Sequence, residues 1–198
     1  MESEMKLYGS TTSPYVRRIR LYLASQNISE QDYEFINLDI FSAMGREQLK
    51  KDNPTLKVPY LVDQSTQVFD SRIIHRYLSE KYKNIPLTWQ QENILTLIDA
   101  ANDSLVSLLL SQRSGFDTQQ DILFFNLQNE RVESIFKVID QYAAQGIFKQ
   151  WHYLSICLFC LIDWIEFRQL YDLSKYTHFV DFIYQAKQQP MITMTDPR

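Results

Sequence analysis

Near the start of this 198-residue chain stands "TSPYVRR", Thr12–Arg18, the stretch whose residue types and spacing are best suited to chemistry. Cysteines in place of Ser13 and Val16 would turn it into C-P-Y-C, a redox dithiol. The chain has a hydroxyl and an isopropyl group there instead, so a sulfur of its own is ruled out. What remains is a helix start: the serine oxygen caps the first backbone N–H groups, and proline at the first helical position gives up no needed donor. Such a terminus favours an anion beside it. A free thiol with a pKa of ~8.5 is mostly protonated at neutral pH, and a hydroxyl donating to its thiolate would lower that value. The chemistry open to Ser13 is activation of a sulfur that a ligand brings. Helix capping alone is the plainer role for a Ser-Pro pair.

Other groups need the same weighing. Val58-Pro59 lies in "NPTLKVPYLVD" and by itself reads as an edge-strand turn. Asp70-Ser71, in "FDSRIIHRYLSEKY", reads as a helix cap, and Lys57 as a solvated loop lysine. Cys157 and Cys160 form a C-x-x-C, but inside the apolar "LSICLFCLIDWI" they read as buried thiols. A metal site would need more ligands than His152 supplies. His75 and His178 read as surface or packing residues, and Arg17, Arg18 and Arg20 as a basic patch on the first helix, solvated or facing a second copy of the chain.

The elements that must position these residues follow from periodicity and punctuation. "MKLY" and "YEFINL" read as strands, and "VPYLVD" with "QVFD" as a hairpin. Pro14 to Asn27 puts Val16, Ile19 and Leu23 on one helical face; Ile73, Ile74, Tyr77 and Leu78 do so after the hairpin. Between Pro86 and Pro190 there is no proline, and the pattern predicts helices over about Thr88–Arg113, Thr118–Gln145, Trp151–Glu166 and Lys175–Gln188. The division expected is an α/β domain over residues 1–82, a linker over 83–89 and an all-helical domain over 90–198. Charge is balanced through Tyr82, so the net −4 belongs to the helical part. That balance argues against a dedicated nucleic-acid binder. The acidic start carries no apolar run, and "LSICLFCLI" is too short to span a bilayer, so a cytosolic protein without a signal peptide is expected.

Taken in order, "LYGSTTSPYVRRIRLYL", "NPTLKVPYLVD" and "FDSRIIHRYLSEKY" resemble the cytosolic glutathione transferase family. The likeness extends over nearly the whole chain, and small bacterial members beginning "GS-x-TSP-x-VR" are the most similar. It implies a thioredoxin-like α/β N-terminal domain followed by an all-α C-terminal domain. It also implies glutathione transferase activity, in which the glutathione thiol attacks a hydrophobic electrophile and takes up its alkyl or aryl group. Glutathione would be a co-substrate, with no prosthetic group. On that resemblance Ser13 donates to the thiolate, with Ser10 as the second candidate. Val58, before a cis Pro59, offers its N–H and C=O to the cysteinyl amide. Asp70 and Ser71 take the γ-glutamyl end, Ser71 as helix cap, and Lys57 reaches the glycyl carboxylate. Tyr15, Phe116 and residues near Ser107 and Leu110 would line the electrophile's place. The resemblance further implies a homodimer, with Asp103 or Asp99 reaching the partner's glutathione; Asp103 is preferred. Two other readings stay open: a non-catalytic binding or regulatory protein, and a glutathione-dependent peroxidase or disulfide reductase. One departure is visible. Family members often carry Ser/Thr-x-x-Asp at the start of the sixth helix, whereas Ser155 is followed three residues on by Leu158, leaving that cap to Ser155 alone or to another residue.

Overall fold

The computed structural model describes residues 5–189 and 191–198. The chain divides into two units, one running to Pro86 and including Gln189–Arg198, the other spanning Leu87–Gln188. The grouping of the last ten residues with the first unit differs from the sequence-derived division, which leaves them in the helical part.

The first unit is built on strands β1 (Met5–Gly9), β2 (Glu34–Asn37), β3 (Tyr60–Asp63) and β4 (Thr66–Phe69), with helices α1 (Pro14–Ser25), α2 (Ala43–Asp52) and α3 (Ser71–Lys81). Strand order is β2-β1-β3-β4. β1 pairs in parallel with β2 and antiparallel with β3, and β3 pairs antiparallel with β4. This mixed sheet with its helices is the thioredoxin-like arrangement expected. Alternation sorts the side chains. Leu7 and its cross-strand partner Leu61 face one way, and Tyr8 and its partner Tyr60 face the other. Gly9 lies on the Leu7 side, where α1 comes so near that a Cβ at this position would collide with the methyl groups of Val16. Close helix-to-strand packing is therefore the reason for glycine here. On the opposite face Tyr8 and Tyr60 stack with ring centroids 4.4 Å apart, amid Leu38, Leu49, Ile40, Val58, Val62 and Phe69. Burial and its bond to the Asp52 carboxylate push the Tyr60 hydroxyl up, which keeps it a donor.

α2 is absent from the sequence reading. It begins at a Ser42 cap, whose hydroxyl accepts from Gly45 N at 3.0 Å, and buries only Gly45 and Leu49. A helix with so narrow an apolar face leaves little periodicity to detect. The three arginines of α1 are also unlike the expected surface patch: Arg17, Arg18 and Arg20 are all buried. Arg20 pairs with Glu30 at 2.7 Å and lies over the Phe35 ring, and Arg18 stacks on Tyr15. Their aliphatic stems and flat guanidinium faces let them serve as packing residues.

α1 and α3 meet around a buried polar chain. Tyr22 Oη and Ser79 Oγ are 2.8 Å apart, Ser79 Oγ and His75 Nε2 3.2 Å, and Asn84 Nδ2 donates to Tyr22 Oη at 2.9 Å. The edge of the Tyr22 ring meets His75 at 4.5 Å between centroids. Burial pushes the His75 imidazole down to about 3, so it stands neutral in this network.

The second unit contains α4 (Trp89–Arg113), α5 (Leu123–Ala144), α6 (Tyr153–Arg168) and α7 (Thr177–Ala186). α4 starts on a full capping box between Thr88 and Gln91, in agreement with the predicted start. By length and composition it would be able to cross a membrane, but its apolar face is a core face packed on α5 and α6. α5 begins at Leu123, five residues later than predicted, because Asp117 accepts from Gln119 N in a local turn. α6 is buried from Tyr153 through Ile165, as befits a helix apolar on all sides. Cys157 and Cys160 are reduced thiols buried within it, in keeping with the reading as packing thiols. Its cap is His152: Nδ1 accepts from Ser155 N at 3.4 Å, while Ser155 Oγ donates back to the carbonyls of Gln150 and Phe148. The capping positions are thus 152 and 155, three residues before those expected, and Leu158 is an ordinary core residue. His178, on α7, pairs with Asp140 at 2.9 Å.

Candidate functional site

The strand registers bring the singled-out residues of the first unit to one edge of the sheet. Gly9 pairs with Asn37, Tyr8 with Tyr60, and Tyr60 with Phe69, so β1 and β4 end where β3 begins. Three connections leave from this edge: the 10–13 turn, the 53–59 loop and the Asp70-Ser71 pair. α1 and α3 both start here. Their amino termini bring partial positive charge to the same place.

In the turn, Ser13 N donates to Ser10 O at 3.0 Å, and Ser13 Oγ accepts from Val16 N at 3.4 Å as the cap of α1. A hydroxyl that accepts this bond keeps its own proton for donation to a ligand. Ser10 Oγ is more committed: it lies 3.1 Å from Thr12 Oγ1 and accepts from Thr12 N at 3.4 Å. The turn is tied to the sheet by Thr11 N donating to Asn37 Oδ1 at 3.3 Å.

The next connection is organised by Asn53, a residue sequence reasoning passed over. It is fully buried; Nδ2 donates to Lys57 O at 2.8 Å, and Oδ1 accepts from both Thr55 N and Thr55 Oγ1 at 2.9 Å. Asn-Pro after a helical stretch was the available signal, since asparagine side chains commonly close such turns. This scaffold carries Val58 and Pro59, joined by a cis peptide bond as expected. The N–H and C=O of Val58 have no hydrogen-bonding partner among the described residues. Lys57 is exposed beside them.

At the third connection the cap of α3 is Asp70, not Ser71 as expected. Asp70 has φ 72° and ψ 137°, outside helical space, and its Oδ1 accepts from Arg72 N at 2.8 Å. Ser71 is the first helical residue and is buried. A non-glycine residue at such a φ stores about 1–3 kcal/mol of backbone strain. Asp103 belongs to the other unit, exposed on α4. Among the described residues no group of three or more His, Cys, Asp or Glu side chains gathers to hold a metal.

Adjacent strands lie ~4.8 Å apart, so the edge from β1 across β3 to β4 is ~10 Å wide. An extended tripeptide is about as long, at ~3.3–3.6 Å per residue. The edge offers it two helix amino termini, an unpaired backbone segment and a carboxylate.

Residues 7–86 match the family model described as glutathione S-transferase, N-terminal domain. An uncharacterized GST-like protein of Escherichia coli K12, YibF, is 30% identical over 179 residues, 84% of each chain. A probable maleylacetoacetate isomerase of Caenorhabditis elegans is also 30% identical, over 63% of this chain and 54% of that protein. Among solved structures, a glutathione S-transferase of Methylobacillus flagellatus KT with glutathione bound superposes with a TM-score of 0.83 at 22% identity, covering 98% of this chain and 100% of that one. With a relative alike along most of both chains, and with the fold and the ordered motifs in agreement, the chain belongs to the glutathione S-transferase family.

Proposed function

We propose that the chain binds glutathione along this sheet edge and activates its thiol for attack on an electrophilic small molecule. The observation that carries the reading is the free backbone of Val58 midway between two helix amino termini. A peptide ligand pairs with Val58 as a further strand would. Its γ-glutamyl carboxylate meets the start of α3 at Ser71, its ammonium meets the Asp70 carboxylate, and its thiol meets Ser13 at the start of α1. Lys57 takes the glycyl carboxylate. The glutathione bound in the Methylobacillus relative supports the choice of tripeptide. Catalysis is then nucleophile activation by a lowered pKa, together with proximity.

Asp70→Ala and Ser71→Ala each remove a partner of a charged group, a loss of ~1.5–3 kcal/mol, or roughly tenfold or more in affinity. Calorimetry with reduced glutathione checks this, and wild-type affinity in both variants would refute the assignment. An assay with a generic aryl halide then separates a transferase from a protein that only binds.

The proposal includes a cytosolic homodimer in which Asp103 of one protomer reaches the γ-glutamyl ammonium held by the other. Sedimentation at micromolar concentration is expected to give a dimer, and Asp103→Asn is expected to weaken glutathione binding without dissociating it. A monomer would sink both statements.

A further inference from the structure

Arg17 stands in the first turn of α1, where its backbone N donates to Ser13 O at 3.1 Å. Its side chain is almost fully buried and turns toward residues 175 and 178 positions further along the chain. Nε donates to Thr195 Oγ1 at 3.2 Å, and Nη2 donates to Ile192 O at 3.1 Å. The receiving segment is itself folded. Thr195 N donates to Met191 O at 3.1 Å, Asp196 N donates to Thr193 O at 3.2 Å, and Thr195 Oγ1 bonds back to Met191 O at 2.9 Å. Ile192 and Thr195 are buried, whereas Thr193 and Met194 between them are exposed. Burial acts to raise the Asp196 carboxyl, but its bonds to Arg198 and the nearby Arg17 charge hold it below the usual range. A short turn therefore offers a carbonyl, a hydroxyl and a carboxylate's negative field to one buried guanidinium.

We infer that residues 191–198 form a strap that sets the first turn of α1, which makes Arg17 and Thr195 positioning residues for a sulfur held at Ser13. The physical reason is leverage. The orientation of Ser13 Oγ and of the first N–H groups is set by the opening turn of α1. On the sheet side that turn is pressed against Gly9 by Val16, and through Arg17 it is tied to the strap. Slackening the second anchor leaves the helix in place but lets its first turn fray, as unsupported helix ends do. The inference rests on the reading of Ser13 for its functional meaning, but its geometry can be tested without glutathione.

The probe is a thiol introduced at the cap by Ser13→Cys, titrated through its ultraviolet thiolate absorbance in ligand-free, full-length protein. The two native thiols are buried, and their signal is subtracted using the parent chain. A cap thiol is expected to titrate below the usual ~8.5. Adding Thr195→Val, which removes the acceptor but leaves the Arg17 charge, is expected to raise that midpoint by roughly 0.2–0.7 pH units, the share a helix terminus contributes. Arg17→Lys, which keeps the charge but loses the fork, is expected to shift it the same way, and Thr193→Val on the exposed side is expected to leave it unchanged. In the Ser13 protein, Thr195→Val should lower kcat near neutral pH, with KM for glutathione little altered. An identical midpoint in all backgrounds overturns the strap, even if glutathione binds. A shifted midpoint in a protein that never binds glutathione upholds the strap and refutes the functional reading instead. If Thr195→Val and Arg17→Lys lower thermal stability but leave both the midpoint and the kcat profile alone, the contact is structural only and the inference fails.

Discussion

Ser13→Ala is expected to raise the pKa of bound glutathione's thiol by ~1–2 units, the equivalent of a ~1.5–3 kcal/mol hydrogen bond to a charged group. Turnover near pH 6.5 then falls roughly tenfold to a hundredfold, because the thiolate fraction falls by that factor. The gap closes as the pH rises through the new midpoint, where the thiol ionises unaided. Affinity for glutathione changes less, since the Val58 and Asp70 contacts remain. The substitution also removes a helix cap, at ~0.5–2 kcal/mol of stability, so a second variant must separate the two roles. Ser13→Asp supplies a good cap but has no proton to donate and repels a thiolate. It is expected to hold thermal stability while abolishing thiolate formation at neutral pH. Thiolate absorbance of the glutathione complex, titrated in all three proteins, decides the matter: if the midpoints coincide, Ser13 is only a cap.

Acid is expected to destabilise the first unit steeply, chiefly through His75. Its folded-state value is depressed to about 3 by burial, against ~6.5 in the unfolded chain. Between those values the unfolded state binds the extra proton, so stability rises with pH. The contribution is present in full above ~6.5 and is lost progressively as the pH falls toward 3. Between pH 7 and pH 5 the loss is ~2 kcal/mol, and over the whole interval it approaches ~5 kcal/mol, at ~1.4 kcal/mol per pH unit. His75→Gln keeps a polar partner for Ser79 Oγ but has nothing to titrate. Urea midpoints measured at pH 7 and pH 5 should therefore lie closer together in this variant than in wild type. His152, which must stay unprotonated at Nδ1 to cap α6, is also lowered by burial, and acts in the same direction in both proteins. A pH dependence equal to wild type in His75→Gln would place the acid sensitivity elsewhere.

What the sequence discloses here depends on how local the deciding interaction is. β1, α1, the β3–β4 hairpin and the α4 boundaries are legible because caps, alternation and turn residues lie within a few positions of what they control. α2 is not legible, since two buried residues make too weak a stripe. Asp70 displaces Ser71 as cap because a strained φ at residue 70, unusual for a non-glycine, shifts the helix start by one. The α6 cap moves to His152 because Ser155 spends its hydroxyl on the carbonyls behind it. The burial of Arg17 was beyond any local pattern: the partners that make a buried cation tolerable stand at the other end of the chain. Among the candidate site residues, the sequence supplied the three connections, while strand register supplied their shared edge. Asn53 is not legible, because its role is set by the Lys57 carbonyl and the Thr55 groups that its side chain binds in the folded loop.

The chain has only two sulfhydryl groups, at positions 157 and 160, and both are sealed inside one helix of the second unit. They form a built-in clock for that unit alone. The rate at which a small alkylating reagent reaches them measures how often the bundle around α6 opens, and unfolding confined to the sheet-containing unit leaves that rate untouched. Followed beside tyrosine fluorescence or circular dichroism in rising denaturant, the same reaction tells whether the two units come apart together or in turn.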